Sequence, residues 1–278
     1  MKKKQSSLNN PHSSNDKKYN YNKKQNYLKN CHDLENKKDM KNNPKIRNKK
    51  ISKIRISSPF SNDFTLRADK FDVKKIRKKI KEIIPEKDYH LIDKIITDKS
   101  LFPNNLTYEK GVFRDNAGNL LQLVYGGEED FKIPKNILDI GSTYGLGIMS
   151  HNHMNGLVIP SPDKDIPSLI FVKSKYSPIY SPIKTGLLVN IDVSKNKKRW
   201  REIFNKYDKF FEDKKLEIQN LYPNETKKIR DSYIGEALDK KLDDDLHRPY
   251  FVNNQEEIVK EINSMFKEND FDLKLYIL

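Results

Sequence analysis

The stretch that decides the fold is Ile148-Met-Ser-His-Asn-His-Met-Asn-Gly-Leu-Val-Ile-Pro-Ser-Pro-Asp-Lys-Asp-Ile166. An apolar run over residues 145–149 leads into His151-Asn152-His153. Positions i and i+2 of an extended strand share a face, so the two imidazoles aim at one point. Gly156 and Pro160 break the loop that follows, and the acids Asp163 and Asp165 come after Ser161-Pro162. Ser before Pro reads as a helix start, with Ser161 as N-cap and Pro162 at the first helical position. The spacing therefore predicts His-X-His on a strand facing a carboxylate from a helix's first turn. That donor set suits Zn²⁺, which takes neutral imidazole and carboxylate ligands and leaves a fourth position to water at catalytic sites. The candidate ligands are His151, His153 and one of Asp163 or Asp165. The plainer alternative is a strand carrying two ordinary polar histidines.

His-Asn-His followed by Pro160-Ser161-Pro162 and Asp165-Ile166 resembles the JAB/JAMM (MPN) metalloprotease motif, and within it the phage and prokaryotic JAB-like branch. The family pattern is an upstream Glu, His-X-His, a short loop and Ser-X-X-Asp. Two departures stand out. Met154 occupies the place of the usual Pro, and Lys164, not a carboxylate, lies three residues after Ser161. Either a one-residue insertion makes Asp165 the ligand, or Asp163 serves; Asp165-Ile166 matches the family's ending and is preferred. The resemblance covers about residues 106–190. It implies that Glu109, 42 residues before His151, lies beside the metal water as general base, with Glu128 and Glu129 as fallback candidates. It also implies that Ser161 helps to stabilise the oxyanion. Family substrates are peptide or isopeptide bonds of proteins, often at the tails of ubiquitin-like proteins. Two rival functions remain: a metal-free MPN-like scaffold, which Met154 and Lys164 favour, and a nucleic-acid-associated protein.

The nucleic-acid reading comes from charge. The chain has 278 residues and a net charge of +15. Residues 1–58 hold 17 basic and 4 acidic residues, so +13 of that charge lies there and the remainder carries only +2. This Lys/Asn-rich segment has few aliphatics and no hydrophobic period, a composition that cannot offset its ordering entropy. It reads as a disordered tail. Its lysine runs, with Tyr19, Tyr21 and Tyr27 between, suit phosphate neutralisation and base stacking. Compositional drift explains them equally simply. Cys31 is the only cysteine, so no intramolecular disulfide forms. No apolar h-region follows the basic N-terminus, and no run reaches the length of a membrane span. The expectation is a cytoplasmic protein without membrane contact.

Beyond the tail the chain divides into a helical lead-in (59–105), the candidate metal-site domain (106–194) and a helical C-terminal region (195–278). Val73, Ile76, Ile80, Ile83 and Ile84 make one helical stripe, ended by Pro85, and a second helix spans about 87–98. Residues 107–125 read as a β-hairpin turning at Asp115-Asn-Ala-Gly118, with Glu109 in its first strand. Gly141-Ser-Thr-Tyr-Gly-Leu-Gly147 lacks the phosphate-loop endings and reads as a turn into the His strand. Pro178 and Pro182 imply an edge strand or a bulge over 176–190, and 187–193 reads as a buried strand. Helices over 197–221, 225–246 and 255–267 precede a final alternating strand at 271–277. His90 and His247 read as surface or helix-end residues. The expected class is α+β, a JAB/MPN-like mixed sheet flanked by helices.

Overall fold

The computed structural model describes residues 71–104, 106–127 and 131–278. The basic tail, residues 59–70 of the lead-in, Glu128 and Glu129 lie outside the described residues. Helix α1, Val73–Ile83, begins where Asp72 accepts from the amides of Lys74 and Lys75 at 3.0 and 3.1 Å, the bonds of an N-cap. The second expected helix divides into a 3-10 turn, Glu86–Leu91, and α2, Ile92–Asp98. The hairpin follows as β1, Lys110–Arg114, and β2, Leu120–Tyr125. Its turn is closed by Asp115, which accepts from the amides of Ala117 and Asn119 at 2.9 and 2.8 Å.

Helix α3, Lys135–Tyr144, corrects the reading of 141–147 as a turn. Gly141 sits inside this helix because a Cβ there would lie 2.6 Å from Cβ of Val172. It permits close packing rather than chain reversal. The reversal belongs to Gly145, at φ 76°, a region that glycine enters without steric cost. Strand β3, Leu146–Asn152, comes next, then α4, Asp165–Phe171, β4, Ser174–Tyr180, and β5, Thr185–Asn190. The strand predicted over 187–193 stops at Asn190: Ile191 is exposed, and Asp192 caps α5, Val193–Lys198. The remainder is α6, Trp200–Leu221; α7, Pro223–Ser232; α8, Gly235–Leu242; a π-helical turn, Asp243–His247; α9, Arg248–Asn253; α10, Gln255–Glu268; and β6, Leu273–Ile277.

The six strands form one sheet in the order β2-β1-β3-β4-β5-β6. Only β3 and β4 run parallel, joined by α4 as the crossover that parallel pairing requires. The architecture is α+β, a mixed sheet with helices on both faces. Alternation along β5 shows the division. Leu187 and Val189 pack with Ile76, Ile80 and Ile92 of α1 and α2, while Leu188 faces a larger core with Tyr207, Ile262 and Phe266 of α6 and α10. Pro178 stands in β4, an interior strand, rather than at the predicted edge or bulge. It brings no N–H, and beside it the Ser177 hydroxyl donates to the Met149 carbonyl of β3 at 2.9 Å.

The C-terminal region is part of this body. β6 pairs with β5 from Gly186–Ile277 to Asn190–Leu273, and the larger core mixes Leu169 and Leu188 with Ile203, Tyr207, Phe266 and Leu275. No core boundary falls at 194. Among the described residues, no helix is long and apolar enough to cross a membrane.

Candidate metal centre

Three of the sequence-predicted residues converge. His151 comes from the end of β3, and His153 extends the strand's line by donating its N–H to Tyr180 O at 2.9 Å. Asp165 is the first residue of α4. The Nε2 atoms of His151 and His153 are 3.1 Å apart; His153 Nε2 lies 3.1 Å from Asp165 Oδ2, and His151 Nε2 lies 3.3 Å from Asp165 Oδ1. Two imidazole nitrogens this close need a proton or a cation between them, since two bare lone pairs repel. Tetrahedral zinc, with bonds of ~2.0–2.1 Å, spaces its ligand atoms ~3.3 Å apart. The two imidazole nitrogens are near that spacing, and each lies at about that distance from a different oxygen of Asp165, so one carboxylate faces both rings. Two imidazoles and a carboxylate are a donor set that zinc accepts. Among the described residues this is the one His/Cys/Asp/Glu group that can hold a metal ion.

Burial makes the cluster electrostatically strong. His151 is 1% exposed, and its Nδ1 is the one buried side-chain nitrogen or oxygen among the described residues without a hydrogen-bond partner. Burial pushes the Asp165 carboxyl up, but the charge of His151 and the hydrogen bonds from both imidazoles outweigh it and hold the group well below the usual carboxylate range.

The loop between the histidines and Asp165 turns on Ser161. Helix α4 covers Asp165–Phe171, close to the short helix expected over 165–172, and starts between Pro162 and Pro167 rather than at either. Lys164, not Ser161, stands at the N-cap and makes no side-chain cap bond, while Ser161 bonds the first turn from four residues back. The Ser161 carbonyl accepts from the amides of both Asp165 and Ile166, at 3.2 and 3.3 Å, and its Oγ accepts from Asp165 N–H at 3.2 Å. In return the Ser161 amide donates to Asp165 Oδ2 at 2.7 Å. This reciprocal pair resembles a capping box lengthened by one residue, and it aims Asp165 at the histidines. Asp163 is exposed and is not part of the cluster, which takes Asp165.

Glu109 stands one residue ahead of β1, where its N–H and C=O pair with Gly127 and Gly126 at 2.8 and 2.9 Å. Gly111 of β1 is opposite His151 of β3 in an antiparallel register, so position 109 is level with position 153. Glu109, His151, Asp165 and Lys164 line one pocket with Phe131, Ile133, Met149 and Ser168, enclosing about 330 Å³ of empty space including the open mouth. Gly111 makes room here: a Cβ on it would lie 2.5 Å from the Phe131 ring, which packs 6.1 Å from the His151 ring between centroids. Met154 lies on the other flank of His153, in a shallow cleft with Lys99, Phe102, Asn152 and Tyr180.

One contributor was hidden in a helical stripe. Tyr207 of α6 is fully buried and donates its hydroxyl to Pro160 O at 2.9 Å, bracing the loop just before Ser161. Burial and the Asp165 charge hold its phenol well above its ordinary range. Nothing local in sequence marks it, because its partner lies 47 residues away. Of the two spare histidines, His90 is exposed, with its ring against the carbonyls of Lys87 and Asn116. His247, at the end of the π-helical turn, is buried and held by Asp243 Oδ1 at 2.7 Å and Gln219 Nε2 at 3.2 Å. No family model, curated protein or solved structure matches the chain.

Proposed function

We propose that the protein is a zinc-dependent hydrolase of amide bonds, acting on peptide or isopeptide bonds of protein substrates. The observation that carries this reading is the convergence of His151 Nε2, His153 Nε2 and the Asp165 carboxylate, with each imidazole within 3.3 Å of a carboxylate oxygen and 3.1 Å of the other imidazole. Bound there, Zn²⁺ would lower the pKa of a water toward ~7 and polarise the scissile carbonyl. The chain's own residues have distinct tasks. His151, His153 and Asp165 hold the ion. Glu109, in the same pocket, takes a proton from the attacking water onto its carboxylate and returns it to the leaving amine. Ser161 orients Asp165 through its amide, and its hydroxyl is the group available for the developing oxyanion. The lengthened Ser161–Asp165 turn accounts for Lys164, the residue that most favours a metal-free scaffold.

Metal analysis of the purified full chain tests the reading. The wild-type protein should carry one zinc per chain. His151→Ala, His153→Ala and Asp165→Ala should each lose it, because a three-ligand site loses much of its affinity with one ligand gone. Asp163→Ala should retain it. Wild-type protein that stays zinc-free in zinc-supplemented buffer, or a double histidine variant with full zinc, would rule the site out.

A further inference from the structure

Between the two histidines stands Asn152, and its side-chain amide spans the backbone on both sides of Glu109. Its Oδ1 accepts from Lys110 N–H at 2.7 Å, and its Nδ2 donates to Tyr108 C=O at 3.2 Å. Asn152 is buried, so water does not compete for these bonds. They complete the hydrogen bonding of this corner. The backbone groups of Glu109 face the other way, toward Gly126 and Gly127. The β3 backbone does not take Lys110 or Tyr108: its pairing with β1 ends at Gly111–His151, and His153 N–H is used on the opposite side by Tyr180.

Residues 108–110 therefore leave β3 and are held from it by one inserted amide. A continued antiparallel ladder would set opposed Cα atoms ~4.5–5.5 Å apart. The side-chain amide of Asn152 takes the place of ladder bonds on both sides of position 109 and so fixes the backbone that carries Glu109. An aliphatic residue at 152 would leave the buried Lys110 N–H and the part-buried Tyr108 carbonyl without these partners, and a longer amide would not fit the same two bonds. We infer that Asn152 is a positioning residue that holds Glu109 at working distance from the His151–His153–Asp165 cluster. It acts through Glu109 and touches neither substrate nor ion. This rests on the reading of Glu109 as the proton acceptor.

The experiment needs no substrate and uses the full chain, metal-free, labelled with ¹⁵N at histidine. The ring signals of His151 and His153 are recorded at fixed pH for wild type, Glu109→Gln, Asn152→Ala and the double variant, and far-UV circular dichroism checks the fold of each. With the clamp intact, Glu109→Gln should displace an imidazole signal. In the Asn152→Ala background the same substitution should displace it at least about two-fold less, the non-additivity expected of coupled sites. Asn152→Asp keeps the acceptor for Lys110 N–H and loses the donor to Tyr108, so the effect of Glu109→Gln should be intermediate there; this variant carries the test if Asn152→Ala does not fold. Equal displacement in all backgrounds overturns the role of Asn152 while leaving Glu109 in place. No displacement even with Asn152 present removes Glu109 from the site, and the positioning role falls with it.

Discussion

Glu109 is the residue whose chemistry separates holding an ion from using it. Glu109→Gln is nearly isosteric, but the amide takes no proton at neutral pH. The variant should therefore keep its zinc while cleavage of any peptide that the wild type hydrolyses falls by ~10²–10⁴. Full activity in Glu109→Gln would assign the proton transfer elsewhere. A second group open to direct measurement is Lys99, in the cleft beside His153. Its ammonium donates to Asn104 Oδ1 at 2.9 Å and Phe102 O at 3.3 Å, and burial lowers its pKa from 10.5 to about 8. The folded state thus releases this proton before the unfolded state does, so its contribution to stability rises as pH climbs from about 8 toward 10.5. Side-chain NMR should find a titration midpoint near 8, and one near 10.5 would show Lys99 to be solvated. At this scale His151 and His153 were readable, because two residues apart on a strand is a local relation. The preference for Asp165 over Asp163 rested on the Asp165-Ile166 pair alone, and the Ser161 turn is what brings Asp165 to the rings.

At the scale of elements, the site strand is locked from behind. Ser150, next to His151, donates its hydroxyl to Asp98 Oδ2 at 3.0 Å, and Arg114 of β1 donates from Nε and Nη2 to Asp98 Oδ1 at 3.0 and 2.7 Å. The last residue of α2 thereby ties β1 to β3, with Asp98 fully buried. Removing one partner of a buried pair leaves a charge without compensation. Arg114→Met should cost about 3–5 kcal/mol in urea unfolding, and adding Asp98→Asn should recover part of it. A loss under about 1 kcal/mol would show that the pair is not what docks the helix. The hairpin, α1 and α10 were legible as elements because their periods are regular and their ends carry caps, turns or prolines. Helix α3 was not. Its Gly141 imitates a turn, and only the nearness of Val172 explains the residue. Pro178 misled in the same way, since Ser177 supplies a hydrogen bond that sequence cannot assign to Met149.

For the whole molecule, the decisive fact is that the C-terminal helices and β6 close the core around the site. Leu169, Leu188 and Phe113 share that core with Ile203, Tyr207, Ile262, Phe266 and Leu275. A fragment ending at residue 194 would expose these apolar surfaces and leave β5 as a bare edge. It should show no cooperative melt and should bind a hydrophobic dye, whereas the full chain should melt in one sharp transition followed by circular dichroism. A stable, cooperatively melting fragment would establish 195–278 as a separate appendage. The sequence by itself determined the α+β class, the strand that carries the histidine pair and the candidate donor types, because periodicity, turn residues and two-residue spacing are properties of neighbouring positions. The tertiary structure added the turn that carries Asp165 to the imidazoles, the brace of Tyr207 on their loop, the bonds of Asn152 to the backbone on both sides of Glu109, and the place of the last strand in the same sheet. All but the first depend on contacts between residues dozens of positions apart, and a contact of that kind exists only once the sheet has a register.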